Sequence, residues 1–251
     1  YSVYVVNKLK QLGYDVKGKI VDFSEYGIPQ KRQRYILVGT KKDNAENFFD
    51  LLVQNKVTFF KSKNFEKDTV SLSDAISDLL QSHGTKESPD TKNFRAGIYA
   101  KATTSYQKLM RKDKNLTKKV ASSHRFANHK KETIEKFQYI LEFGRANKNI
   151  SDEIKAKYNI KKRTVVPLCS NSPTPTLTTL PDDYIHYCEP RILTVREYAR
   201  IQSFPDSYEF KGGYTTGGDR RKSDVPRYTQ IGNAIPPLFA EQAGLVLKDM
   251  I

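Results

Sequence analysis

Apolar residues recur at helical spacing from the start of the chain. Val5, Val6, Leu9 and Leu12 share one face, and Gly13 follows where a left-handed terminator belongs. Residues 14–23 partly alternate and are rich in β-branched side chains, which predicts a strand. Tyr26-Gly27-Ile28-Pro29 breaks the pattern, and the apolar run 34–39, ending at Gly39, predicts a second, buried strand. Beyond Thr40 Lys and Asn rise and periodicity weakens, so helices are expected only in patches. One falls over 70–80 with Ser71 or Ser73 as N-cap. Another spans 132–143, with Ile134, Phe137, Ile140 and Leu141 on one face, and the stretch between them reads as loop. Residues 172–181 are extended, because each residue before a proline is pushed out of the helical region. Thr194-Val195-Arg196-Glu197 forms a capping box for a helix through Ile201, stopped near Pro205. A Gly-rich stretch and Pro236-Pro237 then lead into a closing helix over 238–247. The chain begins within a helical pattern and without Met, so the structural unit is expected to extend upstream or to be completed by another chain.

Charge narrows the function classes. Forty-three Lys and Arg against 28 Asp and Glu give the 251 residues a net charge of +15, which favours a polyanionic partner. Between residues 108 and 136, ten basic residues face three acidic ones. Within this window Lys118, Lys119 and Arg125 are candidate DNA contacts, although charge runs are commonly just solvated faces. No apolar run approaches the roughly 20 residues of a membrane helix. Two cysteines and four scattered histidines match neither a disulfide framework nor a zinc site, so no metal is expected and a reducing, cytoplasmic setting is the default.

Three segments, in order, are similar to the DNA (cytosine-5) methyltransferases. Tyr26-Gly27-Ile28-Pro29-Gln30-Lys31-Arg32-Gln33-Arg34 resembles that family's Gln-x-Arg-x-Arg motif. Arg191-Ile192-Leu193-Thr194-Val195-Arg196-Glu197, continuing through Pro205-Asp206, and Gln230-Ile231-Gly232-Asn233-Ala234-Ile235-Pro236-Pro237 resemble two later ones. The resemblance implies an α/β fold: part of a Rossmann-like methyltransferase sheet domain plus an irregular, mixed target-recognition domain. The corresponding division is residues 1–42 (end of the catalytic domain), 43–225 (target recognition) and 226–251 (return to the catalytic domain). It further implies methyl transfer from S-adenosyl-L-methionine to C5 of a cytosine flipped out of double-stranded DNA. Arg34 then takes the catalytic position, stabilising charge on the ring as an always-protonated fork can, with Arg32 two residues earlier on the same strand face, assigned to the site or the adjacent phosphates, and Gln30 positioning the loop. Gly232, Asn233 and Ala234 are implied to line the cofactor pocket. Thr176 and Thr178, in the Thr-rich extended segment, are candidate DNA contacts as well as ordinary strand residues. Arg196, Glu197 and Arg200 are read as scaffold.

The departures from the pattern matter equally. The family nucleophile is a Cys directly after Pro, whereas Cys169 follows Leu168 and Cys188 follows Tyr187. The Phe-x-Gly-x-Gly and Glu-Asn-Val segments are also missing from these residues. The expectation is therefore the C-terminal half of such an enzyme, bacterial in type, whose thiol comes from a complementary N-terminal chain or segment. A non-catalytic DNA-binding module of the same fold is the alternative. A basic RNA-binding protein would need an aromatic-rich signature that this chain lacks.

Overall fold

The computed structural model describes residues 2–112, 119–215 and 224–250. Helix α1 (Ser2–Gln11) runs into strand β1 (Asp15–Asp22), which pairs antiparallel with β2 (Gln33–Thr40) from Asp15 opposite Thr40 to Asp22 opposite Gln33. A single helical turn, Phe23–Tyr26, joins them. Asp22 caps it by accepting from the Ser24 N–H at 3.0 Å, and Gly27 ends it at φ 78°. Next come α2 (Glu46–Ser62) and α3 (Leu72–Ile76). They are followed by the small antiparallel sheet of β3 (Thr85–Glu87), β4 (Arg95–Ile98) and β5 (Val120–Arg125), with α4 (Ser105–Met110) between β4 and β5. After α5 (Lys131–Phe143) and α6 (Asp152–Lys157), β6 (Val166–Pro167) pairs in parallel with β7 (Tyr184–Ile185). The chain closes with α7 (Val195–Ile201), α8 (Arg227–Asn233) and α9 (Pro237–Asp249).

The fold is mixed α/β with three small sheets among the described residues. The two strands expected over 14–23 and 34–39 are present as β1 and β2, which pair antiparallel. The region from 70 to 125, read mostly as loop, holds a three-stranded sheet instead. Its strands are too short and too charged to show alternation, and a register shift between Ala96 and Ile98 breaks the ladder. The largest departure is α2, 17 residues long, where only patches were expected. The helix at 70–80 is shorter than expected: Ser71 caps α3 in a capping box with Asp74, and residues 77–79 tighten into a 3-10 turn.

The main core joins both ends of the chain. Phe23 and Tyr26 meet Phe239 of α9 with ring centroids 4.4 and 5.5 Å apart, and α2 packs on α9. The Gln242 side chain donates to the Tyr26 carbonyl at 3.0 Å, adding a buried polar tie. A smaller cluster, Phe137 and Ile140 of α5 with Ile150, Ile154, Val165 and Ile185, covers the amphipathic face predicted for 132–143. No helix among the described residues is long and apolar enough to cross a membrane.

Candidate active site

The loop before β2 and the Thr-rich segment run side by side. Gln30 bridges Thr174, the Lys31 N–H donates to the Thr174 carbonyl at 2.8 Å, and the Thr174 N–H donates to Pro29 at 3.0 Å. Gln30 is fully buried, and its Oε1 accepts from the Leu177 N–H at 3.1 Å. This side chain thus ties the loop before β2 to the Thr-rich segment. Thr176 donates its hydroxyl to the Lys31 carbonyl at 2.7 Å, and Tyr184 donates to the Thr176 carbonyl at 2.6 Å. Thr178 donates to the buried Asp183 carboxylate. Both candidate threonines are thus anchored beside the Gln-x-Arg-x-Arg loop, with Thr176 exposed and Thr178 half-buried.

The closing turn reaches the same place. Arg32 Nη2 donates to the Gly232 carbonyl at 2.8 Å across 200 residues of sequence. Gly232 also packs so closely on the Thr-rich segment that a Cβ there would lie 3.0 Å from the Thr178 carbonyl oxygen. Three segments far apart in sequence, 30–32, 176–179 and 231–234, therefore meet.

The two arginines differ more than the period of two predicts. Arg32 precedes β2, is only 4% exposed, and points inward; its carbonyl accepts from the Phe23 N–H at 3.0 Å. Burial, with the Arg34 charge nearby, pulls its pKa down to about 10. Arg34 is exposed opposite Val21, and its Nη1 donates to the Gln33 carbonyl at 2.7 Å. Asn233 is the last residue of α8 and is exposed. It does not cap α9, the bland reading of that motif. The Leu238 N–H is met instead by Ser203 Oγ at 3.1 Å.

Arg196, Glu197 and Arg200 are fully buried, as the scaffold reading requires. Arg191 grips Glu197 with two bonds of 2.8 and 2.7 Å, while Glu197 also caps the Thr194 N–H at 2.7 Å. Arg196 donates to the carbonyls of Ser122, Pro205 and Tyr208. Arg200 bridges Asp78 and Asp206. Sequence marked these residues through the capping box, but Asp78 and Asp206 carried no such signal because they lie 122 and 6 residues from Arg200 in opposite directions.

His124 belongs to this scaffold. Its Nε2 faces the Leu79 carbonyl at 2.8 Å, which can only accept, so that nitrogen carries the proton and Nδ1 accepts from the Thr194 hydroxyl at 2.8 Å. The ring is a neutral structural link. Among the described residues no group of His, Cys, Asp or Glu could hold a metal.

The same network predicts acid sensitivity. Burial pushes the pKa of His124 down to about 4 and that of His186 to about 3. For Glu197, burial pushes upward but the adjacent Arg191 prevails and holds the carboxyl at about 2. Unfolded histidines bind protons below about 6.5 and unfolded Glu below about 4.3, where the folded groups still refuse them. Stability is therefore full near pH 7 and falls as pH drops below about 6.5, each proton taken up on unfolding costing about 1.4 kcal/mol per pH unit. Urea unfolding from pH 7 to 4 checks this, and His124→Gln with His186→Gln should flatten the slope. An unchanged slope would assign the acid sensitivity to other groups.

Of the basic candidates, Lys118 lies outside the described residues. Lys119 is exposed and lines a groove of about 580 Å³ with Lys86, Lys211 and Arg227 and with two acids, Asp90 and Glu209, which pair with Arg227 and Lys211. Arg125 is half-buried, its guanidinium 4.0 Å from the Phe94 ring centroid and 3.8 Å from that of Tyr214. This stack holds β5 against two loops, a structural task that a charge count cannot reveal.

Comparison with known proteins gives consistent matches. The profile of the C-5 cytosine-specific DNA methylase family matches residues 3–249. Type II methyltransferase M.DdeI of Desulfomicrobium norvegicum is 30% identical over 251 aligned residues, covering 94% of this chain and 55% of that protein. Type II methyltransferase M1.HphI of Haemophilus parahaemolyticus is 27% identical over 97% of this chain and 51% of its own length. The chain thus spans about half the length of these two curated relatives. Type II methyltransferase M.AquIB of Picosynechococcus differs: 33% identity covers 51% of this chain but 88% of that protein. A solved DNA modification methyltransferase encoded within an E. coli prophage superposes with a TM-score of 0.65 at 21% identity, over 99% of this chain and 64% of that one, which shows a shared fold.

Proposed function

Since the chain belongs to the C-5 cytosine-specific DNA methylase family, we propose that it is the C-terminal part of a DNA cytosine-5 methyltransferase, supplying target recognition and one wall of the active site. The observation that carries this reading is the meeting of the Gln30–Arg34 loop, the Thr-rich segment and the Gly232 turn, tied by the Arg32 bond to the Gly232 carbonyl. These are the segments in which the family resemblance places base, DNA and cofactor contacts.

Arg34 is the catalytic cation. In the family reaction a thiolate adds to C6 of a flipped cytosine and negative charge develops on the ring. A guanidinium at the ring oxygen lowers that barrier without having to be deprotonated. Arg34 suits this role because it is exposed, whereas Arg32 is turned inward. Gln30 and Arg32 complete the catalytic segment. S-adenosyl-L-methionine, when bound, supplies the electrophilic methyl group. The residues at the closing turn fit one rim of such a site: the exposed Asn233 amide has no hydrogen bond with the described residues, and Ile235 beside it is 60% exposed. Thr176, Thr178 and Lys119 form the proposed DNA side, which Lys118 joins by its place next to Lys119 in the sequence.

The thiol is supplied by a complementary N-terminal chain or segment. Cys169 and Cys188 are free, and burial raises the Cys188 thiol's pKa, the wrong direction for a nucleophile. The β1–β2 pair supports a missing neighbour, because a lone two-stranded sheet is weak and its outer face leaves Ile20 70% and Tyr35 52% exposed. The match to M.AquIB, covering nearly all of that shorter protein, is consistent with such a piece existing as its own chain.

Duplex binding tests the DNA side directly. Affinity should fall steeply with salt, with a log–log slope of about −0.9 per phosphate neutralised. Exchanging Lys119 and Lys86 for Gln should make the slope shallower by about one unit each. A flat salt response in the native chain would contradict the basic-groove reading.

A further inference from the structure

Resting on the functional reading above, we propose that Arg32 is a positioning residue that fixes the Gly232–Ala234 turn for the cofactor and does not itself touch the reacting base. Four observations carry this. Arg32 is 4% exposed whereas Arg34 is exposed, so most of the Arg32 guanidinium is turned away from the surface that Arg34 reaches. Its Nη2 is spent on the Gly232 carbonyl at 2.8 Å, and no carboxylate among the described residues pairs with it. Its Nε is buried without a partner, so stability alone does not explain a charge at this position. The turn it holds is clamped from the other side, where a Gly232 Cβ would meet the Thr178 carbonyl oxygen at 3.0 Å.

The consequence is a short mechanical route. Thr176 and Thr178 lie on the DNA side, Gly232 packs on Thr178, and Arg32 joins Gly232 to the strand that carries Arg34 two residues later. Because Asn233 directly follows Gly232, its place relative to the catalytic strand depends on this charge-assisted bond.

The test uses the complete enzyme, assembled with its N-terminal part, and titrates S-adenosyl-L-homocysteine by calorimetry. Arg32→Met should stay folded, since it removes an unpaired buried charge, and should weaken that affinity about 10- to 100-fold. Arg32→Lys should recover part of the loss, and Arg34→Met should leave the affinity unchanged. Gly232→Ala, which displaces the turn from the opposite side without altering charge, should reproduce the loss. Unchanged affinity in folded Arg32→Met and Gly232→Ala enzymes, with turnover lost only in the first, would make Arg32 a base contact and overturn the proposal.

Hydrogen exchange reads the tie separately from the function. The amides of residues 232–234 should exchange faster in Arg32→Met and at the native rate in Arg34→Met. Native exchange in Arg32→Met would overturn the tie itself. Failure of the unaltered assembly to bind S-adenosyl-L-homocysteine would instead overturn the cofactor reading on which the proposal rests.

Discussion

Arg34→Ala in the complete methyltransferase is expected to lower kcat by about 10²–10³-fold, the usual cost of removing one donor aimed at developing charge. Stability should hardly change, within about 0.5 kcal/mol, because the side chain is exposed and its hydrogen bond to the neighbouring Gln33 carbonyl is local. Arg34→Lys should restore little, since a mobile point charge does not reproduce a planar fork. The informative comparison is single-turnover rate against urea midpoint. A large loss of rate at an unchanged midpoint assigns Arg34 to the chemistry, and full turnover would remove it from the active site.

The second large effect is structural. Arg200→Ala leaves Asp78 and Asp206, 2% and 3% exposed, short of the guanidinium that bridges them. Breaking a buried ion pair by removing one partner costs about 3–5 kcal/mol, a large part of the roughly 5–15 kcal/mol that holds a domain together. Arg111 and Arg196 lie 3.2 and 3.8 Å from the same two carboxylates, so some compensation persists. The double variant Arg200→Met, Asp78→Asn, which keeps Asp206 as the partner of the buried Arg196, should recover much of the loss, because the penalty lies in uncompensated charge. If the double change is as unstable as Arg200→Ala, the loss comes from packing instead. Such a defect would abolish activity together with the fold, unlike that of Arg34→Ala.

Local signals made much of this legible. The capping box at Thr194 and Glu197 is present as read, with both reciprocal bonds, because a box is encoded within four residues. The amphipathic face at 132–143 and the strand at 14–23 followed from periodicity alone. Helix α2 escaped although Asn44 caps it locally, accepting from the Glu46 N–H at 2.8 Å, because the Lys- and Asn-rich composition masks that signal; the Ala45 N–H is met from a distance, by Asp15, 30 residues earlier. The start of α9 is likewise served by Ser203, 35 residues upstream.

The candidate site divides in the same way. Motif resemblance brought the Gln30–Arg34 loop and the Gly232 turn forward as a pair, and the structure brings them together. It did not foresee that Arg32 would turn inward while Arg34 stayed out, because the period of two assigns a shared face and says nothing of depth. Nor could charge density separate Lys119, which lines an open groove, from Arg125, which is stacked between two rings.

The most direct measurement mixes this chain with the proposed complementary N-terminal polypeptide, duplex DNA and S-adenosyl-L-methionine carrying a labelled methyl group. Label should appear at cytosine C5 only when both polypeptides are present and should be lost in the Arg34→Ala mixture. Methylation by this chain alone, or none from a stable assembly that holds both DNA and cofactor, would contradict a shared active site with its thiol on the other half.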